Sequence, residues 1–129
     1  MGGGVKSNMG NKSILIVDDD AHVLNILERT LTGAGYSVLK ARGGKDGISI
    51  ARDRKPDLIL MDINMPDMCG DVAKEHLKND PVTRDIPVVF LTGIVTEKEA
   101  GASEIGGHIF IAKPIDSPKL LQKIQELLA

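Results

Sequence analysis

Four short apolar runs, at residues 14–17, 58–61, 88–91 and 109–112, limit what this chain can fold into more than any other feature. Unbroken runs of about four apolar residues suit strands buried on both faces, the mark of a parallel sheet covered by helices. Each run stops on a residue able to handle phosphate or metal: Asp18 and Asp19, then Asp62, then Thr92, then Lys113. Open sheets of this kind bind ligands beyond the carboxyl ends of their strands. The runs therefore predict a single crevice that gathers three carboxylates, one hydroxyl and one ammonium.

Bulk properties narrow the function classes. A chain of 129 residues is one domain, able to bury roughly two-thirds of its unfolded surface without a disulfide or structural metal. Its formal net charge of −2 carries no electrostatic footprint for DNA or RNA, so nucleic-acid contact by this chain is not expected. The lone cysteine, Cys69, excludes an internal disulfide and fits a reducing compartment. Membrane insertion is not expected, because no apolar stretch approaches the ~18 residues of a span. The start of the chain also lacks the apolar core of a signal peptide. A cytoplasmic location follows as the expectation. Residues 1–11, rich in Gly, Ser and Asn, read as a flexible leader or cloning remnant, leaving 12–129 as the domain.

Periodicity supplies the elements around the four runs. A strand at 13–17 precedes a helix over 21–32, with Val23, Leu24, Leu27 and Leu31 on one face and Gly33-Ala34-Gly35 as its stop. An edge strand at 36–40 and a weaker helix at 45–52 follow, then a third helix at 71–78 with Val72, Ala73, His76 and Leu77 at helical spacing. A fourth helix is expected over 96–105, capped by Thr96 with Glu99 three residues on, although Gly101 interrupts it. In the last helix Ser117 is the expected cap and Pro118 lies in the first turn. Leu120, Leu121, Ile124, Leu127 and Leu128 share its apolar face. Five strands alternating with five helices predict a doubly wound α/β sheet with right-handed crossovers.

In the predicted crevice, Asp18, Asp19 and Asp62 against Lys113 leave a formal −2. Crowded carboxylates repel, and a divalent cation removes the deficit. Hard oxygen donors without His or paired Cys favour Mg2+, held by Asp19 and Asp62, with Asp18 acting through water and a backbone carbonyl just past Asp62 as a further ligand. A metal, a lysine, a hydroxyl and a forward-placed carboxylate suit phosphoryl transfer. Carboxylates accept phosphoryl groups as aspartyl phosphates, and Asp62 is the natural nucleophile because its strand is central and it sits at the crevice floor between the metal pair and the cation. Lys113 and Thr92 would contact the phosphate oxygens. His22, His76 and His108 have no mutual spacing that suggests a metal site and read as surface residues, while Cys69 reads as an inert loop thiol.

The stretches around Asp18-Asp19-Asp20, Asp62 to Gly70, Thr92-Gly93 and Lys113-Pro114 together resemble the receiver domain of two-component response regulators. The resemblance covers residues 12–129 and implies a flavodoxin-like five-stranded parallel sheet in the order 2-1-3-4-5. It further implies that Asp62 is the phosphoacceptor, that Asp18 and Asp19 form the acidic pair, and that the Asn64 backbone carbonyl ligates Mg2+. Thr92 corresponds to the switch hydroxyl, Phe110 to the aromatic switch position, Lys113 to the phosphate-contacting lysine, and Pro114 to a proline preceded by a cis bond. The implied donor is a sensor histidine kinase or a histidine phosphotransfer protein, the downstream effector is unidentified, and a phosphorylation-dependent dimer is left open. Asp20 is assigned by position to the first helix cap. Ile94, two residues past Thr92, is expected to restrict water and lengthen the phosphoryl lifetime.

Two rival readings stand beside this one. A haloacid-dehalogenase-like Mg2+-dependent phosphohydrolase would use Asp18 and Asp20, two apart on the first strand, but lacks the threonine or valine expected shortly afterwards. Alternatively the receiver could act as a constitutive binding module, decoupled from phosphorylation. The receiver itself would catalyse only its own phosphorylation and dephosphorylation, so it is not expected to be a multiple-turnover enzyme.

Overall fold

The computed structural model describes residues 12–93 and 108–128, and the backbone of Ala102–Ile105. The apolar runs are strands β1 (Ser13–Val17), β3 (Leu58–Asp62), β4 (Val88–Thr92) and β6 (His108–Ala112), with β2 (Ser37–Ala41) on one edge. Between them lie α1 (Ala21–Gly33), α2 (Gly44–Arg54) and α3 (Gly70–Lys78), and α4 (Ser117–Leu128) closes the fold. The five parallel strands run in the order β2-β1-β3-β4-β6, as the resemblance implies.

Alternation of side chains along each strand divides the core into two layers. On one face Ile14, Ile16, Leu58, Leu60, Val89, Leu91 and Ile111 pack against Leu24, Leu27 and Leu31 of α1 and Leu120 and Ile124 of α4. On the other, Leu15, Val17, Ile59, Met61 and Phe90 meet Ala51 of α2 and Ala73 and Leu77 of α3. Strands covered on both sides need apolar residues at every position, which is why the sequence shows runs rather than alternation. The chain leaves β1 towards β2 on one side and later pairs β3 on its other side, so the strand order reverses at β1. That switch point opens a crevice at the strand ends.

Three expectations are corrected here. Residues 102–105, expected to end a helix, form β5 (Ala102–Ile105), which adds a sixth, antiparallel strand at the edge beside β6. Its register pairs Ala102 with Ile111 and Ile105 with His108. The sequence places Gly106-Gly107 between them, a two-residue hairpin signal that competes with the weak helical spacing around Gly101, and pairing with β6 decides for the strand. The expected cap Thr96 and the rest of that helix lie outside the described residues, as do the leader 1–11 and Ile94.

The second correction concerns α4, which starts at Ser117 and is capped one residue earlier: the Asp116 carboxylate accepts the Lys119 N–H at 3.2 Å. Ser117 lies inside the helix and its hydroxyl pairs with that of Thr30 at 3.4 Å, which leaves the cap to Asp116. Third, His108 is half-buried, with its Nδ1 at 2.8 Å from Lys74 Nζ and its ring 5.5 Å from that of Phe90. His22 and His76 are exposed, as expected.

Candidate functional site

Each acid reaches the crevice because its strand ends there. Asp18 follows β1 and stays in the ladder, its N–H donating to the Ala41 carbonyl at 3.1 Å. Asp62 is the last residue of β3, and the next N–H, of Ile63, donates to Leu91 O at 3.3 Å. Thr92 ends β4, buried, and its carbonyl accepts the Lys113 N–H at 2.8 Å, which fixes where Lys113 leaves β6.

The side chains then converge. Lys113 Nζ lies 2.9 Å from Asp18 Oδ2 and 3.2 Å from Asp62 Oδ1, so one ammonium bridges carboxylates from two strands. Ligand oxygens of Asp18, Asp19 and Asp62 all lie within 4.8 Å of one another. Asp18 is fully buried and has both oxygens engaged, Oδ1 with the Asp20 N–H at 2.9 Å and Oδ2 with Lys113. Those bonds fix the orientation of Asp18 within the acidic cluster. Asp20 turns away from the crevice and caps α1, accepting the His22 N–H at 2.9 Å.

The electrostatics follow from burial. Desolvation, joined by the charge of Asp18, pushes the Asp62 carboxyl above its ordinary 3.8, against the pull of Lys113 and of the Asn64 N–H. Burial alone would lower the Lys113 ammonium, but its bonds to Asp18 and Asp62 win and hold it above its ordinary 10.5. Lys113 is thus charged at neutral pH, and the pocket keeps an excess of negative charge. Clustered hard oxygens with a net deficit of positive charge fit a divalent cation.

Asn64 lies exposed in the loop after β3. Phe110 sits on β6 opposite Phe90, with ring centroids 5.6 Å apart, on the α2–α3 face of the sheet. The Lys113–Pro114 bond is cis. Cys69 is exposed and immediately precedes α3.

Gly70, the last residue of the Asp62 stretch, sits against the backbone that leaves β3. A Cβ there would lie 2.6 Å from the Asp62 carbonyl oxygen and 2.9 Å from Ile63 Cα, backbone atoms that cannot yield cheaply. Its N–H donates to Ile63 O at 2.7 Å, closing the neck of the loop that leaves Asp62. Its only sequence signal is a glycine at the start of a helix.

A family model described as the response regulator receiver domain matches residues 14–125. Protein PilH of Pseudomonas aeruginosa is 40% identical over 121 residues, covering 90% of this chain and 97% of that protein. Among solved structures, the receiver domain of the hybrid histidine kinase CckA superposes with a TM-score of 0.76 at 28% identity, covering 91% of this chain and 99% of the other. The Vibrio cholerae chemotaxis protein CheY4 gives 0.78 at 26% identity, covering 91% and 98%.

Proposed function

The chain belongs to the response regulator receiver domain family, a phosphoacceptor module, and from that premise we propose that Asp62 is the residue phosphorylated. The donor in this reading is the phosphohistidine of a sensor histidine kinase or a histidine phosphotransfer protein. An Asp62 carboxylate oxygen forms the new O–P bond as the P–N bond breaks, and the departing imidazole nitrogen takes up a proton. Family members carry out their own phosphorylation and dephosphorylation rather than turning over an external substrate.

The observation that carries the reading is the Lys113 bridge between Asp18 and Asp62. It holds a cation against the acceptor oxygen while leaving the carboxylate within reach of the strand-end crevice. Asp19, Asp62 and the Asn64 carbonyl would hold Mg2+, with Asp18 linked through water. The metal supplies charge neutralisation for the incoming phosphoryl oxygens. In this reading Lys113 would supply charge to a phosphoryl group on Asp62, and Thr92, at the end of β4, would supply the switch hydroxyl. Movement of Thr92 and repacking of Phe110 against Phe90 would then shift the domain between two states that partners distinguish.

The phosphohydrolase reading is disfavoured because Asp20, its second acid, is committed to the α1 cap. Among the described residues no helix is long and apolar enough to cross a membrane. A cytoplasmic location, where the donor phosphohistidine is made, accords with the reading.

Incubation with acetyl phosphate and Mg2+ followed by intact-mass measurement tests it. Wild type should gain one phosphate, and Asp62→Asn, or wild type with the metal chelated, should gain none. Phosphate retained by Asp62→Asn would place the acceptor elsewhere.

A further inference from the structure

The loop that leaves Asp62 is fastened at a second point. Asp67, exposed in that loop, reaches across to α2: its Oδ1 accepts the Gly44 N–H at 3.0 Å and its Oδ2 accepts the Lys45 N–H at 2.9 Å. The residue before α2 is Gly43, which makes no side-chain cap of its own. A carboxylate from another loop therefore satisfies two of the helix's first N–H groups and sits at the positive end of its dipole. Those same bonds hold the Asp67 carboxyl below its ordinary 3.8. Space is tailored to the arrangement, since a Cβ on Gly43 would lie 3.0 Å from Asp67 Oδ1 and 3.1 Å from Oδ2.

Besides the burial of Met65 in the core, two hydrogen-bonded anchors fasten the loop over 63–69. The Ile63–Gly70 bond closes its neck, and Asp67 brackets its outer part to α2. Asn64 lies between them in sequence, exposed, with its N–H directed to the Asp62 carboxylate. We propose that Asp67 is a positioning residue for the metal: by bracketing the loop to the start of α2 it holds the Asn64 carbonyl where Mg2+ requires it. The proposal rests on the reading of Asn64 as a metal ligand. Asp67 itself touches neither the metal nor the phosphoryl group and acts through the backbone.

The experiment is an Mg2+ titration of the unphosphorylated full chain, followed by calorimetry and by the Asn64 amide signal. Asp67→Ala should weaken Mg2+ binding by roughly tenfold, the low end of the range for residues that orient a ligand. Phosphorylation from acetyl phosphate at saturating Mg2+ should stay within about twofold of wild type, because the reacting groups are intact. Gly43→Ala, which keeps the carboxylate but crowds it, should shift Mg2+ affinity the same way by less. Asp67→Asn, with one acceptor oxygen left, should fall between.

If Asp67→Ala loses thermal stability yet binds Mg2+ as wild type does, Asp67 only caps α2 and the proposal is overturned. Should Asp67→Ala fail to fold, unchanged affinity in both Gly43→Ala and Asp67→Asn overturns it equally. Wild type that binds Mg2+ normally but takes no phosphate would instead remove the phosphoacceptor reading and leave the bracket in place.

Discussion

Asp62 sits among neighbours that pull it in opposite directions. Burial and the charge of Asp18 disfavour its ionised form, while Lys113 and the Asn64 N–H favour it, and the first pair prevails. A carboxyl whose value is raised on folding weakens the fold wherever it is ionised, and the penalty fades as pH falls through the raised value. Asp62→Asn should accordingly melt higher than wild type at pH 7 without divalent ions. The gap should narrow on acidification, and thermal scans of both proteins across pH would show it. Mg2+ should reverse the order: at tenfold above its dissociation constant it stabilises wild type by about 1.4 kcal/mol. A variant lacking one ligand carboxylate gains less. A wild type that melts at the same temperature with and without Mg2+ would sink this account of the pocket.

Helix ends are where element boundaries and function meet in this chain. Asp20 caps α1, Asp67 caps α2 from a distance and Asp116 caps α4. Sequence position alone identifies Asp20, because it directly precedes the helix. It misplaces the α4 cap by one residue, since Ser117 and Asp116 are both good caps and only geometry chooses between them. Urea unfolding distinguishes them: Asp116→Ala should cost about 1 kcal/mol, and Ser117→Ala should cost clearly less. The Asp67 cap makes an acid-pH prediction of opposite sign to that for Asp62. Its value is lowered on folding, so its stabilisation is complete above 3.8 and is lost as pH falls through the lower folded value. The stability difference between wild type and Asp67→Asn should hold from pH 7 to about 5 and shrink below 3.8, as denaturant melts at each pH would record.

For the whole molecule, the apolar runs with their polar ends determined a parallel sheet, its two helical layers and the crevice at the strand ends. A parallel sheet covered on both faces buries all four runs and brings Asp18, Asp62, Thr92 and Lys113 together at its strand ends. Helices α1 to α3 fall within two residues of their expected ranges because their apolar spacing and stop signals agree. The segment before β6 was not legible in the same way, since Gly101 and Gly106-Gly107 leave helix and hairpin close in local preference. Pairing with β6 along the sheet edge decided in favour of β5. The surroundings of His108 likewise depended on contacts remote in sequence, with Lys74 on α3 and Phe90 on β4. The sequence by itself determined which groups reach the crevice, because hydrophobic patterning fixes strand ends. Tertiary structure alone decided how those groups divide their labour: which carboxylate shares Lys113, which turns away to cap a helix, and which braces a loop from outside. Such roles rest on distances between segments far apart in the chain, and local pattern carries no record of those distances.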